Sequence, residues 1–206
     1  MIKKFYWLLP VIILSACNNH TPEQTKSEHT EHSKQSTGKN YCDSVNSGLI
    51  TVDTLKGSPH CTAMATINGN HVHIAYNSPG VKGRQIWGGL VAYDKVWVTG
   101  AHNATRIQFS KDVEIGGKKV PAGKYAFFTI PGREKWTVIL NRNYDQHLAD
   151  EYDEKEDVMR IALTPEQDLM TPRLTYAVNK LTDTSGEITL RWEKIILRVP
   201  FVQSNL

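Results

Sequence analysis

The chain has 206 residues, 40% hydrophobic and 22% charged, which fits one globular domain plus a non-globular extension and argues against two full domains. Its 24 Lys and Arg stand against 21 Asp and Glu, and two of those cations, Lys3 and Lys4, lie in a segment expected to be removed. The excess left is about one charge, too small a basic field to wrap nucleic acid.

Residues 1–16 read as an export signal: a basic start at Lys3 and Lys4, then an apolar run from Phe5 to Leu14. Such a run is too short to span roughly 30 Å of hydrocarbon. It ends in Leu14-Ser15-Ala16-Cys17, which resembles the lipobox of bacterial lipoproteins, where the cysteine is acylated and becomes the new N-terminus. Acyl chains such as palmitate on Cys17 would supply the multi-chain attachment that stable membrane residence requires. The expected product is held by lipid at the cell envelope, outside the cytoplasm. The competing reading is an ordinary secretory leader that releases its product.

Residues 17–40 form the expected lipidated tether. From Asn18 to Asn40 there is no Val, Ile, Leu, Phe, Trp or Tyr, so the stretch cannot bury enough apolar area to offset the ordering of its backbone. His20, His29 and His32 lie in it, either as weak copper or zinc collectors or as ordinary residues of a solvated linker.

Residues 41–206 are expected to be all-β, a single antiparallel β-sandwich. Cys42 and Cys61 form an even pair in a compartment that permits disulfides. They are candidates for a bridge, with a buried free thiol or a metal ligand at Cys61 as the alternatives. Asn68-Gly69 predicts a two-residue hairpin between Cys61–Ile67 and Asn70–Tyr76, and Gly116-Gly117 predicts a second. Further runs cover Lys124–Ile130, Lys135–Leu140, Val158–Leu163, Leu174–Leu181 and Glu187 onward. A short helix is expected within Asn143–Asp157. Ile188, Leu190 and Trp192 share one parity, whereas Ile195, Leu197, Val199 and Phe201 share the other, which predicts a bulge near Glu193 or Lys194.

From about Asn77 to Arg160 the ordered blocks include Ser78-Pro79-Gly80-Val81-Lys82-Gly83-Arg84, Gly88-Gly89-Leu90-Val91, Lys95-Val96-Trp97, Thr99-Gly100-Ala101 and Ile115-Gly116-Gly117-Lys118-Lys119. They continue through Pro121-Ala122-Gly123-Lys124-Tyr125, Phe128-Thr129-Ile130-Pro131-Gly132, Trp136-Thr137-Val138-Ile139 and Tyr152-Asp153. Over this span the chain closely resembles the bacterial family named domain of unknown function 2911. The resemblance implies an exported, lipid-anchored bacterial product and no assigned activity. Relatives commonly carry Arg at positions 78 and 98 and Asn at 102, where this chain has Ser78, Val98 and His102.

Two chemistries compete for the site. Counting back from the predicted turn sets His71 opposite Thr66 and His73 opposite Met64, on the face away from the core. Histidines at i and i+2 stand roughly 6.6 Å apart along a strand, and imidazole with thioether suits copper or, without the thioether, zinc. His102 is the expected third ligand, with His60 behind it. The alternative is an exposed hairpin face carrying ordinary histidines. Elsewhere, Lys82, Arg84, Trp87 and Tyr93 border a Gly-rich loop that could take a small molecule or a glycan, unless that loop is a crossover whose Trp87 fills the core.

Six acids between Asp150 and Asp157 lack EF-hand spacing and its glycine, and read as a solvated turn or helix face. No Gly-x-Ser-x-Gly, Walker, His-Glu-x-x-His or Cys-x-x-Cys pattern is present, although a hydrolase with a non-sequential site would escape that search. The expected function is a non-catalytic binding module for a small molecule or glycan. A copper or zinc protein is the alternative and a hydrolase the third.

Overall fold

The structure, a computed structural model, describes residues 41–204; the leader, Cys17 and the tether histidines lie outside them. Ten strands follow a short helix, α1 (Tyr41–Asn46): β1 (His60–Ile67), β2 (Asn70–Asn77), β3 (Thr105–Phe109), β4 (Val113–Ile115), β5 (Lys118–Val120), β6 (Gly123–Ile130), β7 (Trp136–Asn141), β8 (Asp157–Leu163), β9 (Glu166–Lys180) and β10 (Ser185–Gln203). They form a six-stranded sheet in the order β1-β2-β3-β6-β7-β8 and a four-stranded sheet in the order β5-β4-β10-β9. The strand pairings are antiparallel, and the two sheets pack as a sandwich.

The first hairpin has the expected register, with His71 opposite Thr66 and His73 opposite Met64. Asn68 and Gly69 both take positive φ, 49° and 71°, the backbone of a type I′ turn, which matches strand twist and suits Asn-Gly. Alternation then turns Cys61, Val72, Ile74 and Tyr76 inward. Opposite them, β10 contributes Ile188, Leu190 and Trp192 and then, after a break in pairing, Leu197, Val199 and Phe201.

That break falls at the predicted place: register shifts lie on both sides of Glu193, whose φ is 55°. Most of the extra length is in β9, which spends Gln167–Thr175 opposite Arg191–Ile195. Where β9 leaves β10 it pairs instead with the segment after β2. Val81 N donates to Pro172 O at 2.7 Å and Leu174 N to Pro79 O at 3.0 Å.

Two expectations are corrected. Asn143–Asp157 holds no α-helix; it is a covering loop that ends in a 3-10 turn at Glu154–Glu156, where Asp153 Oδ1 accepts from Lys155 N at 3.0 Å. The acids of this segment compete for the backbone and for Arg160 instead of lining one helical face. Conversely, α1 lies at Tyr41–Asn46, where no helix was expected. It is shorter than two turns and makes no periodic signal, and its shape is set by the burial of Cys42 and Val45.

The same loop gives the six-stranded sheet a second apolar layer. On its outer face Ala126, Phe128 and Ile139 are buried under Ala149, Tyr152 and Val96. Tyr152 meets Phe128 edge-on at 5.3 Å. This cover stops short of β1 and β2, so half of the outer face stays open. None of the helices among the described residues is long and apolar enough to cross a membrane.

Candidate functional site

The open half of that face carries a groove over β2 and β3. One depression of about 210 Å³ is lined by His73, Ala75, Arg106, Gln108, Lys124 and Tyr144. A second of about 110 Å³ shares Ala75 and Arg106 and extends to His60, Asn77 and Asn103. Their register explains the grouping: His73 lies across from Gln108, Ala75 across from Arg106, and Gln108 across from Lys124 on β6. Side chains two apart share a face, so β2, β3 and β6 present their polar parity together, and Ala75 is the small floor between longer neighbours.

Arg106 is the fixed point. Its Nη2 contacts Asp145 Oδ1 and its Nε donates to Tyr144 O at 3.2 Å, so the covering loop braces the guanidinium at the groove wall. Asp145 is not among the lining side chains, which include two cations and no carboxylate. His73 is held below its ordinary pKa, first by burial and then by the charges of His71, His60 and Lys124. Desolvation and neighbouring cations both disfavour the imidazolium.

The sequence-predicted residues fare differently. His71 and His73 stack with ring centroids 6.3 Å apart, Met64 lies across from His73, and Thr66 Oγ1 is 3.2 Å from His71 Nδ1. His102 does not join them. It sits at a positive φ of 61° in a loop where its carbonyl accepts from Leu148 N at 2.7 Å. Among the described residues no group of three or more His, Cys, Asp or Glu could hold a metal ion. The three-histidine set is therefore corrected to a histidine pair with a thioether beside it.

In the Gly-rich loop, Lys82, Arg84, Trp87 and Tyr93 are each engaged by other parts of the protein. Trp87 packs against Trp136, Trp97 and Trp192 at 4.8, 5.8 and 5.8 Å, so it serves the core, the alternative weighed from sequence. Lys82 Nζ contacts Leu55 O. Arg84 Nε donates to Val81 O at 3.3 Å while its Nη2 contacts Gly80 O. Tyr93 packs under Arg133, whose Cζ is 4.9 Å from the ring centroid. Arg84 thus closes the loop on itself, and Lys82 ties it to the segment that follows α1. Cys42 and Cys61 are both buried, with Sγ atoms 2.6 Å apart.

A further depression of about 330 Å³ lies on the outer face of the other sheet, lined by Asp43, Thr175, Ala177, Asn179, Thr189 and Arg191. Its cation, Arg191, is paired with Asp168 at 3.2 Å, and Asn179 Nδ2 donates to Thr189 Oγ1 at 3.5 Å. In the β2–β3 groove, Lys124 and Gln108 have side chains with no partner among the described residues. Size favours the first site and uncommitted donors the second; donors decide specificity, so the β2–β3 groove is the stronger candidate.

Arg106, Gln108, Lys124 and Tyr144 were missed from sequence. Each looks like an ordinary surface residue, and only the pairing of β2 with β3, across the long segment that separates them, assembles the group. No curated protein and no solved structure matches the chain. A family model does match, over residues 58–201, wider at both ends than the Asn77–Arg160 blocks: the chain belongs to the family described as Protein of unknown function (DUF2911).

Proposed function

We propose that the protein is a lipid-anchored envelope module that binds, without catalysis, a small anionic ligand such as an acidic glycan in the β2–β3 groove. The observation that carries this reading is a polar lining with two cations, Arg106 and Lys124, and no carboxylate around an alanine floor, with Arg106 braced by Asp145 and Tyr144. A guanidinium held in place loses less freedom on gripping a carboxylate, phosphate or sulfate. The larger depression, about 210 Å³, is below the roughly 300–1,000 Å³ of drug-sized pockets, which suits one or two sugar rings. The leader supports the location, since Cys17 follows a lipobox-like Leu14-Ser15-Ala16.

An array of neutral, uronate-bearing and sulfated glycans tests this. The wild type should bind the acidic members, and Arg106→Ala or Lys124→Ala should weaken binding about ten-fold or more, as loss of a charge-assisted hydrogen bond implies. Binding confined to neutral glycans, or unaffected by both substitutions, would overturn it.

A second reading is favoured by the stacked His71–His73 pair with Met64 beside it. Two imidazoles and a thioether match reduced copper better than zinc. Titration of Cu(I) against bicinchoninate should show one equivalent retained by the wild type and lost in a His71→Ala/His73→Ala variant. Equal, negligible retention in both removes this reading and leaves the groove untouched.

A further inference from the structure

We propose that Cys42 and Cys61 are joined by a disulfide in the mature protein, a covalent clasp that closes the segment 43–60 around Arg173. The two thiols come from different elements, α1 and β1. Their Sγ atoms are 2.6 Å apart and each residue is less than 5% exposed. Bridging them needs side-chain approach and no change of strand register, the geometric condition that sequence could not supply. The third cysteine, Cys17, lies in the lipobox-like leader, which leaves these two as an even pair.

What the bond would enclose gives it a structural role. Arg173 is fully buried. Between the two cysteines, Asp53 Oδ1 pairs with Arg173 Nη2 at 2.8 Å, Leu55 O accepts from the same nitrogen at 3.0 Å, and Gly57 O accepts from Nη1 at 3.4 Å. From α1, Asn46 Oδ1 accepts from Arg173 N at 2.8 Å and Asn46 Nδ2 donates to Arg173 O at 3.0 Å. The segment is therefore a belt fastened to β9 by one arginine, and Cys42 and Cys61 are its two ends. It buries few apolar side chains of its own, with Leu49 and Val52 both exposed, so a covalent link at its ends would add what packing does not.

The pair is also chemically asymmetric. A hydrogen bond from Cys61 brings the Cys42 thiol down to about 7 against the effect of burial, with Ser78 and the Arg173 charge assisting, while the same bond and burial push Cys61 up. That asymmetry belongs to the docked pair; before α1 docks either thiolate can open the exchange. When Cys42 does, it attacks one sulfur of a disulfide-bearing oxidant, forming a mixed disulfide and releasing one oxidant thiolate. Cys61 then gives up its proton and attacks the Cys42 sulfur, releasing the second thiolate. Two electrons and two protons pass to the oxidant, which leaves as a dithiol. Since both sulfurs are buried in the finished fold, the exchange takes place before α1 docks.

The test is a thiol map of the full-length chain recovered from an oxidising compartment. Trypsin separates Cys42 and Cys61 into residues 40–56 and 57–82, both apart from Cys17. Denatured with alkylating agent and no reductant, the protein should yield those two peptides linked, and reduction should free both. Reduction should also lower the melting temperature of the wild type by roughly 6–12 °C, from the entropy of a short closed loop. A Cys42→Ser/Cys61→Ser variant should melt near the reduced wild type and ignore reductant. Alkylation of both cysteines in the unreduced wild type, or a wild-type melting temperature indifferent to reductant, would overturn the proposal, whether or not the serine variant folds.

Discussion

Arg173 shows how a single side chain can organise a region that reads as featureless. Its guanidinium donates to Ser78 O at 2.8 Å, pairs with Asp53, and lies over the Tyr41 ring at 5.3 Å. Burial alone would push the Asp53 carboxyl up. The hydrogen bonds from Arg173 and Tyr41 and the charges of Arg173 and Lys82 outweigh it and hold the group below the usual carboxylate range. The folded state then binds fewer protons than the unfolded one. This stability is whole above the ordinary Asp value of about 3.9 and is lost as pH falls through the lowered folded value. Asp53→Asn should flatten that acid limb in urea titrations run at pH 3 to 5. Arg173→Met, by leaving the half-buried Asp53 carboxylate with Tyr41 as its hydrogen-bond donor and no paired cation, should cost about 2–4 kcal/mol at pH 7; a loss within experimental error would show the pair to be incidental. Neither residue was legible as a partner, because they lie 120 positions apart and Arg173 falls just before the run Leu174–Leu181 that reads as strand.

His73 gives the groove its own pH signature. Its value is depressed by burial and by His71, His60 and Lys124, with Arg106 lining the same depression, so the ring is neutral at pH 7. An anion placed among these groups favours the charged ring. Affinity for an acidic probe such as glucuronate should therefore rise as pH falls below about 6.5, the unperturbed histidine value. Substitution of His73 by Asn should abolish the slope, as calorimetry at pH 5.5 and 7.5 would read.

Among the elements, those carried by local chemistry were legible: the Asn68-Gly69 hairpin with its register, the Gly116-Gly117 hairpin, and the irregularity in β10 betrayed by its switch of parity. How β9 and β10 share the irregularity was not legible. β9 absorbs most of it because it must leave β10 to bond Pro79 and Val81, a partner no periodicity announces. The helix expected in Asn143–Asp157 failed for a related reason. Asp157 accepts from Asn141 at 2.8 Å and from Tyr152 OH at 2.7 Å and pairs with Arg160 at 3.0 Å. Side-chain bonds that gather on Asp157, one of them from Asn141 on β7, thus outbid a weak local propensity. Glu193 tests the bulge: at φ 55°, Glu193→Gly should be neutral or stabilising by up to about 1 kcal/mol, whereas Glu193→Val should destabilise by more than that. The reverse order in chemical denaturation would mean that the Glu193 side chain, not its backbone, holds the bend.

For the whole molecule, the sandwich depends on close approach of the two sheets. Gly186 on β10 has no room for a side chain: a Cβ there would lie 2.5 Å from Ile67 Cδ1 and 2.6 Å from Phe201 Cζ. Gly186→Ala should cost about 1–3 kcal/mol through overpacking, visible as a lower urea midpoint at unchanged slope. The all-β class was legible because alternation and turn chemistry are local properties. The groove was not, because it exists only where one sheet face is half covered by a loop, and that cover follows from contacts between distant segments. Trp87, the residue that most resembled a ligand platform, is one of four tryptophans between the layers instead.

The central claim is that this uncovered half-face, and not the Gly-rich loop, receives the ligand. Amide and indole NMR of the isotopically labelled protein, titrated with an acidic disaccharide, tests it most directly. Shifts should gather on His73, Ala75, Arg106, Gln108 and Lys124, with the Trp87 indole unmoved. Shifts centred on Gly80–Tyr93, or a response to neutral sugars alone, would contradict it.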